Sequence, residues 1–287
     1  MMQVRSFGAV AALLAALLVQ SCSKSPLSED GIRVESGELQ GRVQLSDGGN
    51  PAEVYVWLEG TTVATRTGST GEFTLQLPPA VTQTDASGWH RLYFYLANYK
   101  LAWAEVLVRN GRFVYGAGDL NADGELINQV SLFKMLRILT YVEPAVVPSQ
   151  FDGPVHVQVS LQATLDSVTV VYPKSVGGFL GAILLRQRES GQIFADVPDV
   201  GAHTRDYDRI GPEVRSRRLV FNFTPNIVPP GHYEIIPYFF IEHANMPDGL
   251  LASLGERVEE IGADFLKIPA KREGGQFVVT GGTGSLP

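Results

Sequence analysis

The chain of 287 residues contains a single cysteine, Cys22. That excludes a disulfide framework and any zinc site built from several thiolates. Its five histidines, His90, His156, His203, His232 and His243, are scattered, and none forms an HExxH or HxxE pair. A GxSxG nucleophile elbow, a P-loop and a dinucleotide-binding glycine pattern are also missing. Positive charge is in deficit: 23 Lys+Arg stand against 30 Asp+Glu, a formal net charge of -7. A nucleic-acid partner would need a cationic footprint, so none is expected. Only 18% of residues are charged while 45% are hydrophobic, the balance of a folded chain rather than a largely disordered one. On these absences the chain reads as non-enzymatic. A site assembled only in three dimensions, such as a hydrolase centre, is the alternative.

The N-terminus carries an address. Arg5 is followed by an uncharged apolar run from Val10 to Val19, shorter than the ~20 residues a spanning helix needs, so residues 1–21 read as a secretory signal. Val19-Gln20-Ser21-Cys22 resembles the lipobox of bacterial lipoproteins. The resemblance implies that the Cys22 thiol is diacylated and becomes the mature N-terminus, with Val19 replacing the commoner Leu. Two or three acyl chains, each buried CH₂ contributing ~0.8 kcal/mol, hold a protein on a membrane. Ser23 rather than Asp follows the cysteine, which by the same resemblance favours the outer membrane over the inner one. Residues 22–36 are polar with one proline and read as a flexible tether.

From residue 37 the grammar is that of strands. Val43 and Leu45 alternate with polar residues, as do Val54, Val56 and Leu58, and then Phe73, Leu75 and Leu77. Turn clusters at 47–51 and 70–72 separate these runs. Gly41, Val43, Pro51, Val54, Val56, Leu58, Gly60, Thr61, Thr67, Gly71, Phe73, Leu75, Leu77 and Pro78 resemble the carboxypeptidase regulatory-like domain. The resemblance implies a transthyretin-like β-sandwich over 37–130 that is itself non-catalytic. Strand alternation puts Tyr55, Trp57, Tyr93 and Tyr95 on the sheet face opposite Val54, Val56 and Leu58. These four aromatics are either a binding platform for a sugar or peptide, or a face packed against the second domain.

At the end of this module Asp119, Asn121 and Asp123, with Gly124 next, have the spacing of the first half of a calcium loop. The second half lacks its acid, with Ile127 and Val130 at the later positions, so calcium is set against a polar hairpin turn centred on Asp123-Gly124. Residues 131–142 read as strand or short helix. Alternating runs at 155–161, 168–172, 182–185, 192–197, 219–223 and 233–241, with a closing strand at 265–268, argue for a second Ig-like domain over 131–270. The charged stretch 201–218 reads as a cationic spot for anionic glycan or as a solvated loop. The glycine-rich residues 271–287 read as a loose tail.

The fold expected is therefore all-β, with two Ig-like or transthyretin-like antiparallel sandwiches behind a lipoprotein signal peptide. The function expected is that of an outer-membrane lipoprotein binding a glycan, peptide or envelope protein. A purely structural subunit of an outer-membrane complex is the alternative.

Overall fold

The computed structural model describes residues 35–79, 87–176, 178–196 and 204–281. The signal peptide, Cys22 and all of the tether but its last two residues lie outside the described residues, as does His203. Nearly all regular structure is β, as expected. The first half contains β1 (Glu35–Ser36), β2 (Glu38–Leu45), β3 (Tyr55–Leu58), β4 (Ala64–Arg66), β5 (Glu72–Gln76), β6 (Gly88–Tyr95), β7 (Ala102–Arg109), β8 (Arg112–Val114) and β9 (Val130–Leu132). The second contains β10 (Leu136–Glu143), β11 (Val146–Pro148), β12 (Gly153–Ala163), β13 (Val168–Val176), β14 (Phe179–Leu180), β15 (Ile183–Gln187), β16 (Ile193–Asp196), β17 (Thr204–Ile210), β18 (Arg215–Phe223), β19 (Gly231–Pro237), β20 (Phe240–Ile241), β21 (Glu273–Gly274) and β22 (Gln276–Thr280). Among the described residues one short helix, α1 (Leu250–Leu254), precedes a 3-10 turn at Asp264–Lys267.

In the first half a six-stranded sheet, β1-β8-β7-β6-β3-β4, faces a three-stranded one, β5-β2-β9. Between them lies one apolar cluster holding Val43, Val56, Leu58, Phe73, Leu75 and Phe94. These are the inward members of the alternating runs, so period two in the sequence becomes one buried face per strand. At the β5 turn Gly71 sits at φ +83°, and a Cβ there would fall 2.0 Å from the Val43 carbonyl oxygen. Only glycine lets that turn close on β2.

β3 departs from half-buried strand behaviour: all four of its residues are buried. Val56 and Leu58 belong to the first core, whereas Tyr55 and Trp57 belong to the core of the second half. The six-stranded sheet is thus covered on both faces at β3 and the end of β6, while Trp89 and Trp103 stay exposed on its outer face.

The second half carries a four-stranded sheet (β18-β12-β10-β21), a five-stranded one (β11-β22-β19-β15-β16) and a smaller group (β14-β13-β17, with β20 on β13). β10 settles the ambiguous stretch 131–142 as strand, paired with β12 from Leu136↔Ala163 to Glu143↔His156. Three pairings are parallel: β2 with β9, β10 with β21 and β11 with β22.

Three expectations are corrected here. The tail is ordered through Thr280: β22 lies inside the five-stranded sheet, with Phe277 and Val279 buried. Gly274 and Gly275 mark a close crossing. Gly274 has φ +75°, and a Cβ there would lie 2.2 Å from the Thr140 carbonyl oxygen. The closing strand at 265–268 is instead the 3-10 turn, tied by an Asp264–Lys267 ion pair at 2.7 Å, with Phe265 pointing inward. The stretch 204–218 is mostly strand rather than loop: β17 pairs with β13, and β18 starts at Arg215 and pairs with β12 in another sheet. Alternation separates Arg217, which points in with Leu219, from exposed Ser216 and Arg218, while Arg215 is exposed at the strand start.

Candidate functional site: the cleft between the halves

The cleft is built on the aromatic face. Tyr55, Trp57, Tyr93 and Tyr95 are 7%, 2%, 4% and 3% exposed, so they form no open platform for a sugar. The chain segment from β20 to Arg272 lies over them. The Tyr55 hydroxyl is 3.0 Å from Ser253 Oγ on α1, and Trp57 stacks on Tyr93 with centroids 6.1 Å apart. Trp57 Nε1 donates to the Thr61 carbonyl oxygen at 2.8 Å. Tyr95 meets His243 edge-on, centroids 5.4 Å apart. Burial of each large ring contributes about 1.5–3 kcal/mol, which makes this face an adhesive between the halves.

The halves are also pinned by polar contacts. Asn98, fully buried, donates from Nδ2 to the Leu136 and Lys271 carbonyl oxygens, and its Oδ1 accepts from the Lys271 amide at 2.9 Å. Arg66 Nη2 donates to the Lys267 carbonyl oxygen at 2.7 Å. No periodicity or motif marks Asn98, because its role depends on two segments that meet only in the fold.

Where the covering is incomplete, a cavity of about 870 Å³ opens at the junction. Its walls are apolar, with Leu101, Met135, Phe239 and Phe265 among them, and Tyr95, His243 and Arg272 bring polar groups to it. His243 Nε2 lies 2.8 Å from the Ala97 carbonyl oxygen. Desolvation of the ring lowers its pKa to about 4, so it is neutral at physiological pH. A neutral ring facing a carbonyl must carry its proton on Nε2, which leaves Nδ1 as an acceptor. Burial pushes the Tyr95 phenol upward, so its hydroxyl remains a donor. The same cause lowers the Arg272 guanidinium to about 10, still charged at neutral pH. In the sequence Arg272 falls in a glycine-rich tail and His243 among scattered histidines, so no local signal marks either.

The other expected sites fall elsewhere. Asp119, Asn121 and Asp123 share one turn, but two of the three side chains are engaged with backbone amides. Asp119 Oδ2 accepts from the Glu105 amide at 2.7 Å, and Asn121 Oδ1 accepts from the Asp123 and Glu125 amides at 2.9 Å each. No cluster of three or more metal-ligating His, Cys, Asp or Glu is found among the described residues. On β18 Arg217 is 8% exposed, held by Asp208 at 2.8 Å and Asp206 at 2.7 Å from β17 and by Ser175 Oγ of β13 at 2.8 Å. Its guanidinium also lies 4.1 Å from the Tyr172 ring centroid. That cation is internal and makes no part of a surface anion site. His232 and Glu189 pair at 2.6 Å on the surface, but neighbouring Ser190 donates to Gln187 instead. No helix among the described residues is long and apolar enough to cross a membrane.

No known protein family model matches the sequence, and no curated protein does either. A solved structure, the Bacillus anthracis TIE protein, is similar over 74% of this chain at 9% identity with a TM-score of 0.23. The match spans about half, 49%, of that protein. A likeness so low carries no argument about fold or function.

Proposed function

We propose that this chain is a non-enzymatic lipoprotein of the cell envelope, anchored in the outer membrane through acyl chains on Cys22, and that it works by binding in the cleft between its halves. The observation that supports binding is the cavity itself. It is large enough for a small ligand or the end of a peptide or glycan, it draws walls from both halves, and it sets polar groups beside apolar walls. The lipobox resemblance supports the anchor. We include in this reading a transthyretin-like sandwich for the first half, supported by two sheets closing on a single apolar cluster.

A second reading, a structural subunit of an envelope complex, is favoured by the outer face of β10, β12 and β18. Tyr141 and Val220 stand exposed there, with Phe179 and Val214 beside them.

Two measurements test the proposal. Palmitate labelling should mark the wild-type chain and fail on Cys22→Ala; label that persists in the variant overturns the anchor. A glycan array and a thermal-shift screen should yield a ligand whose binding is lost in Ala244→Trp, which fills the cleft from an exposed lining position. Ligands unaffected by that substitution would overturn the cleft as the binding site.

A further inference from the structure

Arg272 narrows what the cleft can hold. Its Nε is sealed from solvent and has no hydrogen-bond acceptor. No ion pair among the described residues includes it, and its guanidinium carbon lies 6.0 Å from the Phe265 ring centroid on the cleft wall. Glu234 acts on it through space, yet Glu234 is already bonded to Arg186. Arg272 is half-buried, and its terminal nitrogens, also without a hydrogen bond among the described residues, are not sealed off. A partly enclosed cation without a hydrogen-bonded anion is costly. The Tyr95 hydroxyl, on the same cavity, also lacks a hydrogen-bond partner among the described residues and is not sealed off. The Arg272 terminal nitrogens and the Tyr95 hydroxyl are therefore unpaired donors bordering the cleft, and Arg272 also borders a smaller pocket beside Arg186 and Glu234.

The charge count of the lining limits the ligand further. Lys100, Arg205 and Arg272 are set against Asp166, Glu242 and Glu259. Lys100 and Asp166 lie 3.5 Å apart, and Arg205, Glu242 and Glu259 are exposed at the rim. A polyanion would meet the rim carboxylates before reaching Arg272, whereas one negative charge passes at little cost.

We infer that the cleft takes an amphipathic monocarboxylate, its carboxylate on Arg272 and the Tyr95 hydroxyl and its apolar body against Phe239 and Phe265. The inference rests on the cleft being a binding site, and the test separates the two. The full chain carrying Cys22→Ala, purified without detergent, is titrated calorimetrically with phenylbutyrate and with phenylbutanol at neutral pH. The acid should bind at least tenfold more tightly than the alcohol, as expected for a charge-assisted pair in an apolar setting. Arg272→Met should bring the two within about twofold, while Arg272→Lys should keep a preference for the acid. Equal binding of acid and alcohol to the unsubstituted cleft, or an unchanged preference in Arg272→Met, overturns the inference and leaves the cleft a binding site. Binding of neither compound, with a melting temperature that neither shifts, overturns both. The comparison of acid with alcohol needs no substitution at Arg272, so it stands even where Arg272→Met fails to fold.

Discussion

The hydroxyl of Tyr55 and the Oγ of Ser253 lie 3.0 Å apart although 198 positions separate them in the chain. Tyr55 leaves the six-stranded sheet on the face opposite the first core, and Ser253 sits on α1 of the second half. The contact marks the aromatic face as an internal seam. Trp57, one pleat along on the same face, is 2% exposed and within van der Waals reach of where a Cβ on Gly249 would stand. Trp57→Ala should therefore destabilise the whole chain by about 3–5 kcal/mol, through lost burial and the cavity left behind. Urea unfolding followed by circular dichroism measures this. A loss below about 1 kcal/mol would show the halves to be uncoupled at this seam.

Asn98 makes the complementary polar prediction. Its amide satisfies two carbonyl groups and one N–H drawn from Leu136 and Lys271. In Asn98→Leu all three lose their partner in a buried setting, which should cost about 3 kcal/mol or more. Asn98→Asp should be worse at neutral pH than at acidic pH, because an ionised carboxylate faces two carbonyl oxygens and regains a donor only when protonated. Unfolding midpoints at about pH 7 and about pH 5 compare the two cases. Equal losses at both would show that the site relaxes to admit water.

Much of the first half is legible in the sequence because one physical rule governs it. Val43, Val54, Val56, Phe73 and Leu75 alternate, turns separate the runs, and each inward residue is buried. The aromatic face is legible as a face, but alternation only says that Tyr55 and Trp57 point away from Val56. Their cover depends on residues two hundred positions later. The tail deceives for a related reason. Gly274 and Gly275 have the composition of a loose end, yet they are the residues that let the chain pass close to Thr140 and Ile235. Arg217 is hidden among exposed arginines, since only the register of β18 separates the inward one from its neighbours. Of the cleft only Tyr95, on the aromatic face, is legible, because His243 and Arg272 share no local pattern with it.

Arg217 carries a further prediction. Its guanidinium satisfies Asp206, Asp208 and Ser175 at once, and it holds the Asp206 carboxyl below its ordinary pKa. Arg217→Met strands two carboxylates beside β13. Asp206 and Asp208 keep some contact with water, so the cost should be about 2–3 kcal/mol, at the low end for a broken buried pair. Arg217→Lys should recover less than half of that, because one ammonium cannot reproduce a planar fork. Urea unfolding of both variants provides the test, and full rescue by lysine would mean that charge alone matters at this site.

His243 gives the chain a pH dependence whose sign is set by burial. Its pKa is lowered from 6.5 to about 4, with desolvation the main cause and the Ala97 carbonyl opposing it. Above about pH 6.5 the ring is neutral in both the folded and the unfolded chain, and the fold bears no penalty. As pH falls, the unfolded chain takes a proton that the fold resists, so stability declines from about pH 6.5 and the loss levels off below about pH 4. The full effect is up to ~3 kcal/mol. His243→Gln keeps a donor for Ala97 and removes the titration, so its stability should fall less than that of the wild type between about pH 7 and about pH 4.5. The carboxylates that hold depressed pKa values, Asp47, Asp206 and Glu273 among them, remain in both proteins and cancel in the comparison. Parallel stability curves for wild type and His243→Gln over that range would show that water reaches the ring and that the cleft floor is wetter than its apolar lining implies.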